Sequence, residues 1–415
     1  MRALVIILVL FGLSGCLADK IGDIQPIEEE TSFVGKVPSD FNWTTIQRHQ
    51  ISVTIKSGSS VSKKLDNTLV LLCNSDNELL DALTIIDGKA DFSVRIPNVT
   101  EKLKLYLAAT NDAMEVTIDQ TKVDFNLPNL SALLLNRTDA DNDLLIDQFD
   151  ADPTNPDVSA VIPIRGSGQL KSAMNLGYSS DTYIVFEDLW SSKGDYDFND
   201  IVAKTTLYWV RGKSNYITEI SGDCKIENIG AGMGIGLGYE LLEANGAKLT
   251  YLDDVITEIN GMAVKDDAVA NGVILFRKVQ EIGKTEVKFT MKIKEKSIKD
   301  FAFVPYLFRT ENYSQQIRPF GAPPTKSENM SLFKTKDDAS PASWQWSSGS
   351  GFVYPLTGTS AFYRTKDNHP WGIEFIAKSF KPSPERVSIT EIYPQFREWA
   401  ESGGKSARDW YLNPL

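Results

Sequence analysis

Six carboxylates fall within fourteen residues in the run Asp139-Ala-Asp-Asn-Asp-Leu-Leu-Ile-Asp-Gln-Phe-Asp-Ala-Asp152. Five of them, Asp139, Asp141, Asp143, Asp147 and Asp150, stand at positions 1, 3, 5, 9 and 12 of a calcium-loop pattern. Alternation at the first three positions lets a curved backbone aim successive oxygens at one hard cation; without an ion, the crowded like charges repel. Two departures stand out. Position 6, commonly glycine, is Leu144, and position 12 is Asp150, shorter than the usual glutamate, so a bidentate reach needs a tighter loop. The chemistry expected is cation binding, with calcium as the cofactor; the other reading is a solvated acidic linker.

A second cluster places Glu187, Asp188, Asp195, Asp197 and Asp200 within fourteen residues. Asp195 and Asp197 alternate and so share a face of extended chain. Gly194 is expected to let the backbone turn before them. Three readings stand: a second calcium site, structural carboxylates capping backbone amides, or an acid/base pair of the glycosidase kind, which depends on a separation that sequence does not supply. No Ser/His/Asp arrangement suggests itself. The two histidines, His49 and His369, are too few and too far apart for zinc. No catalytic residue is assigned, and the chain reads as a non-enzyme.

Positioning these clusters requires a folded body. The length of 415 residues suggests two or three domains, and 42% hydrophobic with 24% charged residues is ordinary for a globular chain. A net charge of −12 argues against nucleic acid as partner. Short apolar runs at 51–55, 69–73, 83–86, 92–96, 103–107 and 116–118 predict strands, and Asp87-Gly88 marks a hairpin turn between two of them. A β-sandwich over 39–130 follows, then an Asp-rich calcium-binding linker over 136–157. The runs 183–186, 201–210, 287–293 and 371–376 predict a second, antiparallel body over 158–415 of jelly-roll type. Ser388 to Glu401 carries apolar residues at helical spacing, with Gly403-Gly404 as a stop, so a short C-terminal helix is expected. The fold class is therefore mainly β.

Glycine at every second position from Gly230 to Gly238 lacks the helix and Lys-Ser/Thr pair of a phosphate loop; it predicts a strand face approached closely by a bulky ring. Trp344, Trp346, Phe352 and Tyr354 read as core, with a sugar- or protein-binding surface as the alternative. Cys73 and Cys224 read as buried, unpaired thiols.

The N-terminus has Arg2, an apolar run from Ala3 to Phe11 too short to span a membrane, and small residues before Cys16. Leu13-Ser14-Gly15-Cys16 resembles the bacterial lipobox. The resemblance implies that residues 1–15 are a signal peptide and that Cys16 is the lipidated first residue of a tether over 16–38. The membrane is then a partner through that anchor. By analogy with enterobacterial sorting, Leu17 after the cysteine favours the outer membrane. The spacing at 139–150 is similar to one thrombospondin type 3 repeat. That resemblance implies Asp139, Asp141, Asp143, Asp147 and Asp150 as ligands, with the Leu145 carbonyl between them. The first sandwich resembles immunoglobulin-like or transthyretin-like modules of secreted bacterial proteins.

The phrase Phe186-Glu-Asp-Leu-Trp-Ser-Ser-Lys-Gly-Asp-Tyr-Asp-Phe-Asn-Asp200 resembles the signature of LruC-type domains (DUF4842 type) of bacterial lipoproteins. A closing block agrees with it, through Pro370-Trp371, Phe380, Pro384-Glu385, Tyr393-Pro-Gln-Phe396, Trp399-Ala400, Ser402-Gly403-Gly404 and Asp409-Trp410-Tyr411. The family carries no established biochemical activity. The function expected is a non-enzymatic binding or structural module of the cell envelope, with an envelope protein or glycan as further partner. The alternative is a carbohydrate-binding or carbohydrate-active protein using Glu187, Asp195, Asp197 and Asp200.

Overall fold

The computed structural model describes residues 33–415 apart from 129, 163–176, 179–180, 247, 253–254, 265–271, 284, 294–297 and 346–350. Cys16 and the leader lie outside the described residues, as does Trp346. The described chain is mainly antiparallel β-sheet with a few short helices near its end.

The first sandwich grows from alternating side chains. In Ile46–Ser57, Ile51, Val53 and Ile55 point inward while their neighbours stay half-exposed. This strand pairs antiparallel with Lys89–Pro97 and parallel with Lys122–Asn126. The facing sheet pairs Leu69–Asn74 with Glu78–Thr84 and Lys102–Leu107. Val70, Leu72, Leu83, Phe92, Leu105 and Phe125 fill the space between the sheets. Asp87 and Gly88 make the expected tight turn, both with positive φ of 52° and 70°. However, the strands they join do not form one hairpin. Only Ile86 and Lys89 bridge; Glu78–Thr84 then belongs to one sheet and Lys89–Pro97 to the other. Ile85 still pairs with Thr68 while the Gly88 carbonyl accepts from Ile55, so the turn is a corner between layers.

The second body packs an eight-stranded sheet on a six-stranded one. The first is centred on Ile201–Arg211 and Ile217–Ile229, the second on Ile235–Asn245 and Phe301–Arg309. In the latter pair Gly236 faces the Phe308 ring and Gly238 the Tyr306 ring, so closely that a β-carbon would overlap either one. This is the close ring approach expected of the glycine run. Among its other members, Gly232 has nothing nearby.

The C-terminal helical stretch is two helices, Ile389–Ile392 and Gln395–Glu401, rather than one. Pro394 separates them: proline lacks an amide donor and pushes the preceding Tyr393 out of helical geometry. Gly403 and Gly404 end the second helix with positive φ, their amides donating to the Ala400 and Trp399 carbonyls at 3.1 and 2.8 Å.

Residues 33–45 differ from the expected free tether and first sandwich. Phe33, Val34, Val37, Phe41 and Trp43 are buried against Tyr196, Phe396, Trp399 and Trp410 of the second body. The Trp43 indole donates to the Asn368 carbonyl at 2.6 Å, and Arg397 donates to the Phe33 carbonyl at 2.8 Å. The apolar content of this segment, interleaved with turn residues, covers the aromatic face of the C-terminal helices.

Candidate functional site

The Asp-rich segment forms a compact loop against the seam between the sandwiches. Leu145 is fully buried with Leu69, Leu71, Cys73 and Leu79 of the first sandwich and Ala160 and Ile162 of the strand Ala160–Ile162, which pairs with Ile201–Arg211. The Ile146 amide donates to the Asn67 carbonyl at 3.0 Å. Two apolar residues inside an acidic run thus pin the loop.

The side-chain oxygens of Asp139, Asp141 and Asp143 all come within 4.8 Å of one another. Each residue uses one oxygen to shape the loop. The Leu144 amide donates to Asp139 Oδ2 (3.2 Å), the Asp143 amide to Asp141 Oδ1 (3.2 Å) and the Leu145 amide to Asp143 Oδ1 (2.7 Å). The other oxygens, Asp139 Oδ1, Asp141 Oδ2 and Asp143 Oδ2, are buried with no hydrogen-bond partner, as is Asp150 Oδ2. Buried carboxylate oxygens without a donor are costly. Burial, and the neighbouring carboxylates, push Asp143 up to about 6 and Asp150 up to about 7. A hard divalent cation fits the Asp139, Asp141 and Asp143 trio, because it takes several carboxylate oxygens and relieves their repulsion; Asp147 and Asp150 are not part of that converging group. Leu144 adopts φ of +81°, the left-handed backbone that glycine supplies at this position in the calcium-loop pattern. Asp147 Oδ1 accepts from the Ala140 amide at 2.9 Å and so closes the loop. Leu145 is placed by its side chain and amide.

The second cluster lies in the 187–200 connection between Asp181–Phe186 and Ile201–Arg211, which are antiparallel neighbours with Phe186 opposite Ile201. Fourteen residues between paired strands is long for a hairpin, a length more often associated with function. Three of the five carboxylates converge: oxygens of Glu187, Asp195 and Asp197 lie within 4.8 Å of one another. Asp188 and Asp200 go elsewhere. Asp188 faces Arg309, whose Nη1 lies 3.6 Å from Asp188 Oδ2 and whose Nη2 donates to the Asp188 carbonyl. Asp200 Oδ2 accepts from the Asp188 amide at 2.7 Å, and burial, with Asp188 next, pushes it up to about 7.

Glu187 is fully buried, one oxygen accepting from the Phe198 amide at 2.7 Å and Oε2 left without a partner. Burial raises its carboxyl well above the ordinary range. Asp197 accepts from the Asn199 and Arg386 amides at 3.1 and 2.8 Å, and burial pushes it up to about 6. Asp195 is exposed. Gly194 serves space rather than a turn: its φ is not left-handed, but any β-carbon there would overlap the Glu187 carboxylate. The left-handed residues are Tyr196 and Phe198, φ 58° and 51°. Their rings enter the aromatic core, where Phe33 stacks on Tyr196 with centroids 3.9 Å apart.

Sequence reasoning missed Arg309 and Asn199. Nothing near Arg309 in sequence marks it. Asn199 continues the alternation of Asp195 and Asp197, and its Nδ2 donates to Asp197 Oδ2 at 2.8 Å. His369 is buried, and burial lowers it to about 4. Cys73 and Cys224 are unpaired, and burial pushes both thiols up to about 12. Phe352 is buried, and Trp344 and Tyr354 pack partly buried beside it, the core use expected of them. Among the described residues, no helix is long and apolar enough to cross a membrane.

Residues 215–411 match the family described as a domain of unknown function, DUF4842. The closing block from Pro370 to Tyr411 lies inside that stretch; the 139–152 and 187–200 loops lie outside it. No curated protein matches the chain. Among solved structures, similarity is found to a protein provisionally described as a lipoprotein from Bacteroides ovatus, 15% identical over 84% of this chain and 98% of that one, with a TM-score of 0.42. Similarity is also found to the major pilin subunit of Bacillus cereus, 9% identical over 66% and 67% of the two chains, TM-score 0.16. The RrgB pilus protein of Streptococcus pneumoniae is 10% identical over 81% and 61%, TM-score 0.13.

Proposed function

We propose that this chain is a lipoprotein anchored through Cys16 to the outer membrane, and that it serves the cell envelope as a binding or structural module of LruC type. In this reading a calcium ion at the 139–150 loop stiffens the seam between its two sandwiches. The observation that carries the calcium part is the set of four buried, unpartnered oxygens on Asp139, Asp141, Asp143 and Asp150. Asp147 orders the loop, and the Leu145 carbonyl completes the proposed donor set. Bound calcium would supply positive charge where the fold has concentrated negative charge, and so would couple the loop's order to the ion.

The seam is also held by protein groups alone. Asp81 of the first sandwich and Arg211 of the second form a buried bidentate pair at 3.0 and 2.7 Å, and Arg95 pairs with Glu374 at 2.9 Å. Calcium therefore adds stiffness to an interface that already exists. A glycan-cleaving role is disfavoured by access. Glu187 and Asp197 are both buried, so that pair does not line an open site for a sugar. The anchor part rests on Leu13-Ser14-Gly15-Cys16, and a lipid chain contributes about 0.8 kcal/mol per buried methylene.

Two measurements test the reading. Cys16→Ser should move the protein from the outer-membrane fraction to the soluble periplasm; unchanged fractionation refutes the anchor. Calcium should raise the melting temperature of the full chain, and EDTA should reverse the rise. A melting temperature indifferent to both refutes the ion-stiffened seam.

A further inference from the structure

We propose that the 187–200 loop holds a second divalent cation of the calcium class, bound between Glu187, Asp195 and Asp197. The proposal is independent of the 139–150 loop. Three carboxylates whose oxygens lie within 4.8 Å of one another do not by themselves make a site. What points to a ligand is Glu187. Its side chain is completely buried, its Oε2 has no partner, and that carboxylate belongs to the group converging with Asp195 and Asp197. Position 194 is glycine, and a β-carbon there would overlap this carboxylate, so the Glu187 oxygen sits where only glycine leaves room.

The Arg309 guanidinium does not pair with this group. Arg309 is directed to the Asp188 side chain and carbonyl. The donors are all oxygens, which suits a hard cation such as calcium over the softer metals that favour sulfur or imidazole. The exposed side chain of Asp195 gives the ion a route in from solvent. The same loop sends Tyr196 and Phe198 into the aromatic core beside Phe33, so the ion would hold the covering segment 33–45 in place from beneath.

Native mass spectrometry and calorimetry of the full chain in detergent, titrated with calcium, test the proposal. Wild type should bind two ions. Asp195→Asn should bind one, or bind the second at least tenfold more weakly, and Glu187→Gln should do the same. Asp195 is exposed, so its variant reads the site even where Glu187→Gln fails to fold. Asp141→Asn should lose the other ion and keep this one. A chain carrying Asp195→Asn that binds as many ions as wild type, with equal affinity, overturns the inference. A single wild-type ion lost in Asp141→Asn but kept in Asp195→Asn overturns it too, while leaving the linker site intact. The reverse pattern overturns the linker site and supports this one.

Discussion

Replacing Asp150 by asparagine should make the ion-free protein more stable and at the same time remove part of its response to calcium. Burial pushes this carboxyl up to about 7, against an unfolded value near 3.9. At pH 7.5 the fold therefore carries a charge that it disfavours, by roughly three pK units, or about 4 kcal/mol at 1.36 kcal/mol per unit. Asp150 is only half-buried, so solvent screens the charge, and about 2 kcal/mol is the better figure. Asparagine keeps the oxygen that accepts from the Asp152 amide at 2.9 Å and removes the charge. With roughly 2.1 cal/mol/K per residue of unfolding entropy, a chain of this size should melt about 2–3 °C higher in EDTA if it unfolds as one unit. In millimolar calcium the order should invert, wild type melting above the variant. The pH dependence has a definite sign. The ion-free fold binds more protons than the unfolded chain between about pH 4 and 7, so its stability falls as pH rises through that window. In the variant this fall should be shallower. Thermal melts of both proteins in EDTA and in calcium, at pH 5.5 and 7.5, read all of this. An Asp150→Asn protein that is less stable than wild type in EDTA, or that keeps the full calcium shift, refutes the ion-site reasoning and leaves Asp150 as a structural cap.

Two further outcomes follow from the packing. Arg211→Met should cost about 3–5 kcal/mol in urea unfolding, because it strands the buried Asp81 carboxylate at the seam. Adding Asp81→Leu should recover most of the loss, and a single variant within 1 kcal/mol of wild type (roughly the value of a surface pair) would contradict the picture. Gly238→Ala should cost about 1–3 kcal/mol by overlap with the Tyr306 ring. Gly232→Ala, with open space around it, should be nearly silent in the same assay.

Much of the architecture is legible in the sequence because alternating burial leaves a direct trace in residue type. Ile51, Val53 and Ile55 mark one face of their strand without reference to anything else. The features that sequence misplaces depend on partners far along the chain. Asp87-Gly88 encodes a turn, but which sheet each flanking strand joins depends on Thr68 and Ile55. Pro394 divides the C-terminal helical stretch, but the regular apolar spacing on both sides of it reads as one helix. Residues 33–38 look like a tether because the aromatic rings they cover come from positions beyond 190 and 390. At the acidic loops, spacing brought Asp139, Asp141 and Asp143 together on paper and in space. The division of 187–200 into a converging trio and the separate Asp188 and Asp200 was not legible, because Asp188 turns to Arg309 on a distant strand and Asp200 accepts from the Asp188 amide.

The docking of residues 33–45 onto the second body sets where mechanical load enters the molecule. If Cys16 carries lipid as proposed, the chain from there to Phe33 can reach at most about 60 Å. Tension on it arrives first at Phe33, Val34 and Val37, wedged among the rings of Tyr196, Phe396 and Trp399. It arrives before the first strand, Ile46–Ser57, is reached. If the proposed anchor were pulled, the C-terminal body would take the load before the first sandwich does.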